Sequence, residues 1–141
     1  MSRLVVDASV VFPLFVQEEH SERCAQVTAA AETLLAPALL WPELMNVLWK
    51  HAQRGLITRE HALSCAASMR RAPIRTVPTR PLALPALELA TNLGISAYDA
   101  TYLAAAIQNQ FMLLTADRRL ARAVVSSAYK DLIAWVGDLP G

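Results

Sequence analysis

Four carboxylates in this chain stand where a lone charge is costly. Asp7 ends the apolar run Leu4-Val5-Val6, and Glu43 is set in Leu40-Trp41-Pro42-Glu43-Leu44-Met45-Asn46. Asp99 lies in Ala97-Tyr98-Asp99-Ala100-Thr101, and Asp117 closes Leu113-Leu114-Thr115-Ala116-Asp117. The other acids (Glu18, Glu19, Glu22, Glu32, Glu60, Glu88, Asp131 and Asp138) occupy polar stretches or flank helix ends, where water suffices to explain them. Carboxylates gathered within a few ångströms repel, which raises their pKa values and costs stability. A hard divalent cation removes that repulsion by taking carboxylate and water oxygens as ligands. Such a centre suits hydrolysis. The ion acidifies a water and acts as a Lewis acid, and two ions ~3.5–4 Å apart also clamp a leaving oxygen.

Whether the four acids meet depends on the elements that carry them. Leu4–Val6 reads as a strand buried on both faces, as in a parallel sheet covered by helices. Short apolar runs at 34–36, 74–77, 111–114 and 132–136 supply four more strands. Helical stretches run over 10–16, from a Ser21 cap to about residue 31, and from about 38 to Arg54 with Gly55 as a stop. Further helices run from a Thr58 cap to Arg71, over 82–92 before Gly94, from Ser96 to Asn109, and over 117–126. Alternating strands and helices make an α/β domain with a mainly parallel sheet of about five strands, residues 1–141 forming one unit. Asp7 and Asp117 then follow strands directly, whereas Glu43 and Asp99 open helices that start at the same sheet edge. Ligands of open parallel sheets bind at that edge.

Each acid also has a capping explanation. Asp99 follows Ser96 by three residues, Asp117 and Asp7 each precede a helix, and Glu43 sits near a helix N-terminus, where the dipole favours a negative charge by roughly 0.3–1 kcal/mol. Capping accounts for each acid singly, but not for four in apolar surroundings on one rim.

Composition excludes several classes. The chain is 55% hydrophobic and 18% charged, which argues for a packed globule over disorder. The longest uncharged stretch, 100–116, is broken by Gln108, Asn109 and Gln110, so no membrane span is expected, and Asp7, Glu18 and Glu19 interrupt any secretion signal. Cys24 and Cys65 lack metal spacing and read as buried thiols of a cytoplasmic protein. His20, His51 and His61 have no partner spacing and read as surface or interface residues.

The ordered set resembles PIN-domain ribonucleases, most closely the VapC-type toxins of bacterial toxin–antitoxin pairs. It comprises a strand ending Val-Asp-Ala-Ser, a Glu-Leu-Met-Asn-Val-Leu helix, a Tyr-Asp-Ala-Thr-Tyr-Leu-Ala-Ala-Ala helix and a final Leu-Leu-Thr-Ala-Asp. The resemblance spans essentially the whole chain. It implies a PIN-like three-layer sandwich and a catalytic quartet of Asp7, Glu43, Asp99 and Asp117 binding one or two Mg²⁺ or Mn²⁺ ions. Ser9, Asn46 and Thr115 would be supporting polar groups; Ala8 separates Asp7 from Ser9, where many relatives carry Thr or Ser directly after the Asp. It further implies endonucleolytic cutting of single-stranded or looped RNA to a 5′-phosphate and a 3′-hydroxyl, a homodimer, and inhibition by a cognate antitoxin, which can place an Arg among the acids.

Arg118 and Arg119, beside Asp117, are the preferred RNA contacts, although a solvated helix face explains them equally, as it does Arg122, Lys50, His51 and Arg54. Trp41, Leu44, Leu48 and Trp49, with Ala62, Leu63, Ala66 and Met69 on the next helix, read either as core or as a groove for an antitoxin or a second copy. Three rivals stand beside the toxin reading: a catalytically inactive PIN-like interaction module, a housekeeping RNA-processing nuclease, and a signalling receiver domain. The receiver would need paired acids after the first strand, and Asp7 stands alone.

Overall fold

The computed structural model describes residues 3–139, so residues 1, 2, 140 and 141 of the expected single unit lie outside the described residues. Its centre is β1 (Arg3–Val6), where Leu4, Val5 and Val6 are fully buried. Such a strand must be covered on both faces. β2 (Thr33–Pro37), β3 (Ile74–Val77), β4 (Met112–Thr115) and β5 (Ile133–Trp135) complete one sheet in the order β3-β2-β1-β4-β5. Every pairing is parallel, with Val6 opposite Leu114 and Thr115 opposite Trp135.

Helices α1 (Ala8–Val11), α2 (Ser21–Ala30), α3 (Leu40–Gln53), α4 (Arg59–Met69), α5 (Ala83–Leu93), α6 (Ala97–Asn109) and α7 (Arg118–Val125) fill the connections. α6 is the central one. Its residues Ala100 to Ala106 are all buried, and small alanines let it lie close across β1, β2 and β4 while α5 packs on its back. α7 covers β4 and β5, and α3 packs against α1 and α4. A single apolar core joins Leu4, Val5 and Val6 to Leu40, Leu44, Tyr102, Leu103, Leu113 and Leu114.

Local signals place most boundaries. Thr58 and Ser96 accept hydrogen bonds from the backbone N–H groups of His61 and Asp99, both at 3.0 Å. Gly55 and Gly94 adopt φ of +71° and +70°, the left-handed geometry that ends a helix. Three expectations need correction. Ser21 does not cap α2: its hydroxyl accepts from the Glu18 N–H at 2.8 Å, which closes the preceding turn. The expected helix over 10–16 is α1 followed by a 3₁₀ turn, Phe12–Leu14, because Pro13 lacks the N–H that continued α-helix needs. The final strand shrinks to three residues between 3₁₀ turns.

At one edge of the sheet, β3 is bracketed by Pro73 and Pro78, with Arg75 and Thr76 exposed. No helix among the described residues is long and apolar enough to cross a membrane.

Candidate active site

The chain leaves β1 toward β2 on one side and returns through β4 on the other, so the sheet's switch point lies between β1 and β4. A crevice opens there at the carboxyl ends. Asp7 is the first residue beyond β1, only 6% exposed, and Asp117 is the second beyond β4. Glu43 lies in the first turn of α3, and Asp99 in the first turn of α6. Each of Asp7, Glu43 and Asp99 feels the negative charge of another member of the set.

Hydrogen bonding separates the capping explanations. Asp7 makes no side-chain cap to α1. Its Oδ1 instead accepts from the Ser9 hydroxyl at 2.5 Å and its Oδ2 from the buried Thr115 hydroxyl at 2.6 Å. Ser9 Oγ also accepts from the Ala116 N–H at 2.9 Å, and Thr115 Oγ1 from the Asp117 N–H at 3.0 Å. Two hydroxyls thus tie the loops after β1 and β4 into one unit. Ala8 does not disturb this, since Ser9 still reaches the carboxylate. Asp117 is a true cap: its Oδ1 accepts from the N–H groups of Arg119 and Leu120, at 2.9 and 3.2 Å. Its other oxygen takes no part in that cap.

Tyr102 is a residue that sequence reasoning passed over. One turn beyond Asp99 on α6, its buried hydroxyl donates to Glu43 Oε1 at 2.5 Å, fixing the α3 acid against the α6 acid. The i, i+3 spacing of Asp99 and Tyr102 was the available signal. Asn46 is exposed and makes no hydrogen bond to any of the four acids among the described residues.

Burial pushes Asp7 from its ordinary 3.8 up to about 6, with Asp99 and Asp117 adding repulsion, although the Ser9 and Thr115 hydrogen bonds pull the other way. Burial likewise raises Glu43, with Asp99 adding to it, and raises Asp99, with Asp117 adding to it. Tyr102 is held well above the usual tyrosine range by burial and then by its bond to Glu43. Arg119 opposes the negative field at Asp99, but the one ion pair among the described residues is the remote His51–Glu18 contact at 3.7 Å. A buried, hydrogen-bonded Asp7 beside half-buried Glu43, Asp99 and Asp117, with no paired cation among the described residues, is a donor set that suits a hard divalent ion. Among the described residues, no three His, Cys, Asp or Glu side chains are grouped closely enough to hold a metal ion by themselves.

A cleft of about 610 Å³ runs from Ser9 and Ala116 to Glu18, Glu19, His20 and Val47. Glu18 and Glu19, assigned from sequence to a bland polar stretch, line its far wall. His51 packs its ring on Phe12 with centroids 4.7 Å apart, which makes it a packed residue more than a free surface base. Cys24 and Cys65 are free and buried. The proposed apolar face splits: Leu44 and Leu48 are core, while Trp49 and Leu63 are more than half exposed.

The PIN domain family model matches residues 4–125. Ribonuclease VapC3 of Pyrobaculum aerophilum is 36% identical over 121 residues, covering 84% of this chain and 92% of that protein. A crystal structure from Pyrobaculum aerophilum matches with a TM-score of 0.68 at 26% identity, covering 86% of this chain and 79% of its own. A toxin–antitoxin complex from Klebsiella pneumoniae shares the fold with a TM-score of 0.67 at 15% identity, covering 94% of this chain and 97% of that one. With its acids set at the switch point of a five-stranded parallel sheet, the chain belongs to the PIN-domain family and within it to the VapC-type ribonucleases.

Proposed function

We propose that this protein is a Mg²⁺- or Mn²⁺-dependent endoribonuclease, the toxin of a toxin–antitoxin pair, cutting RNA phosphodiester bonds at the acid edge. The observation that carries the reading is Asp7, a buried carboxylate held by two hydroxyls, among like charges and without a cationic partner among the described residues. Asp7, Asp99 and Asp117 are the proposed ligands, with Glu43 as a further ligand or water-positioning base. A divalent ion held there supplies a Lewis acid and lowers the pKa of a coordinated water. Mg²⁺ does not need a closed protein cage, since it keeps several waters and binds through one or two carboxylates together with substrate phosphate oxygens.

The chain's own groups do the positioning. Ser9 and Thr115 fix both oxygens of Asp7, and the Tyr102 hydroxyl fixes one oxygen of Glu43, leaving the other outside that bond. Asp117 caps α7 with Oδ1 and keeps Oδ2 for a ligand. Arg118 and Arg119, at the start of the same helix, lie where they can meet the RNA backbone.

An antitoxin and a second copy are the proposed protein partners. Met45, Trp49, Leu56 and Leu63 put exposed apolar surface on the α3–α4 hairpin, the face offered to either partner. Two free buried thiols fit a cytoplasmic setting. The test is cleavage of RNA oligonucleotides by the wild type and by Asp7→Asn, with Mn²⁺ or EDTA. Cleavage confined to the wild type with Mn²⁺ supports the reading; two proteins that behave alike and ignore both additions would sink it. Co-purification of a small partner separates a toxin from a housekeeping nuclease.

A further inference from the structure

We propose that Trp135, seated by Gly137, is a positioning residue. It holds the Arg118 guanidinium beside the acid edge as a clamp for a phosphate of single-stranded RNA next to the bond being cut. This rests on the ribonuclease reading and deepens it, by giving one arginine a defined task and naming the indole that makes the task possible.

The arrangement begins with register. Trp135 ends β5 opposite Thr115, so it stands at the same carboxyl edge as the residues leading to Asp117. Its Nε1–H donates to the Ala116 carbonyl oxygen at 3.3 Å, one residue before that acid. The His20 ring meets it edge-on with centroids 5.8 Å apart. Gly137 packs against it so closely that a Cβ built there would stand within 2.6 Å of Cη2, Cζ3 and Cζ2 of the six-membered ring. The indole is thus fixed from three directions, and only a glycine at 137 leaves it room.

Arg118 lies over that ring, with Cζ 5.0 Å from the centroid. This is within cation–π range. Stacking occupies the flat face of the guanidinium and leaves its in-plane N–H donors free. No carboxylate oxygen stands within ion-pair distance of Arg118 among the described residues. Arg118 is the residue after Asp117, so the stack sets a planar cation at a fixed place beside the proposed metal ligands. Arg122, one turn on, lines the same 290 Å³ hollow as Arg118, Trp135 and Asp138. The acid edge repels RNA wherever metal does not mask it, so a flanking phosphate needs a cation of the protein's own. An exposed arginine must normally be ordered on binding, and the indole removes part of that cost beforehand.

The test is anisotropy of a labelled single-stranded RNA with the full chain in Ca²⁺, across a salt titration, beside Mn²⁺-dependent cleavage kinetics. Arg118→Ala is expected to weaken binding about 5-fold near 0.1 M salt and to flatten the salt slope by about 0.7, the signature of one lost phosphate contact on a single strand. Trp135→Leu and Gly137→Ala are expected to weaken binding roughly 3-fold, to raise KM with kcat unchanged, and to cost nothing further in the Arg118→Ala background. A role confined to stability would lower the melting temperature and leave the affinity of folded protein untouched. Wild-type affinity in Trp135→Leu and Gly137→Ala, or losses that multiply with Arg118→Ala, overturn the clamp while leaving the ribonuclease reading intact if wild type still cuts. A wild type that binds RNA through Arg118 and Trp135 but never cuts it keeps the clamp and removes the enzyme. A wild type that neither binds nor cuts removes both.

Discussion

Replacing Asp7 with Asn should make the metal-free protein more stable and the enzyme inactive. Moving a buried carboxyl from 3.8 to about 6 disfavours its ionised form by ~3 kcal/mol. The sign follows from proton binding. Below pH 3.8 the carboxyl is neutral in both folded and unfolded chains. Between 3.8 and about 6 the unfolded chain ionises first, so stability falls as pH rises, and above about 6 the full penalty is present. Asn carries no charge and escapes that loss. It also gives up one acceptor to Ser9 or Thr115, worth about 1 kcal/mol, so the net gain at pH 8 is about 2 kcal/mol. For a chain of this length that is roughly 6 °C in melting temperature. Thermal melts followed by circular dichroism in EDTA, at pH 4 and pH 8, compare the two proteins and cancel the other titrating groups. Mn²⁺ at 100 times its Kd should then raise wild-type stability by about 2.7 kcal/mol and leave Asp7→Asn where it was. An Asn variant no more stable than wild type at pH 8, or equally favoured at both pH values, refutes the claim that Asp7 is an uncompensated charge.

Other substitutions probe the supports. Tyr102→Phe removes the hydroxyl that lowers the pKa of Glu43, so the acidic limb of the pH–rate profile should move to higher pH, with about 1 kcal/mol lost in urea denaturation. Thr115→Val keeps the shape but strips Asp7 Oδ2 and the Asp117 N–H of their partner, and roughly 2 kcal/mol should go with weakened Mn²⁺ binding by calorimetry. Ser96→Ala removes the α6 cap and should cost about 1 kcal/mol; a change under a few tenths would mean that packing alone fixes the start of α6. Asp117→Asn still caps α7, so circular dichroism should stay native while cleavage is lost, separating its two tasks.

The strands were legible because β1, β2 and β4 are short runs of branched apolar residues, and the caps because Thr58 and Ser96 precede helices by composition and bond as expected. The four acids could be placed at one edge from topology alone, since strand ends and helix starts share an edge in a parallel sheet. What stayed hidden was long-range. The spacing of Asp99 and Tyr102 puts both on one helix face, but nothing local says that Tyr102 reaches an acid 59 positions earlier or that Trp135 returns to Ala116, because such bonds depend on which elements become neighbours. Ser21 misled because a serine ahead of a helix can turn its hydroxyl backward onto the preceding turn, and sequence does not rank the two uses. The α3 face was ambiguous for a related reason. Helical periodicity marks Leu44, Leu48 and Trp49 alike as apolar, yet only the first two meet the core.

The outer rail of the sheet carries its own safeguard. β3 offers a row of unpaired backbone groups, the template on which copies zip into fibrils, yet it is four residues long, with a proline at either end and an exposed Arg75. Proline donates no N–H, so a docking strand cannot lengthen the ladder past Pro73 or Pro78, and the arginine charges the seam against its own image. Replacing Arg75 and Pro78 with valines would turn that rail into a sticky margin, and inclusion bodies during crowded expression, with the site itself untouched, would be the visible result.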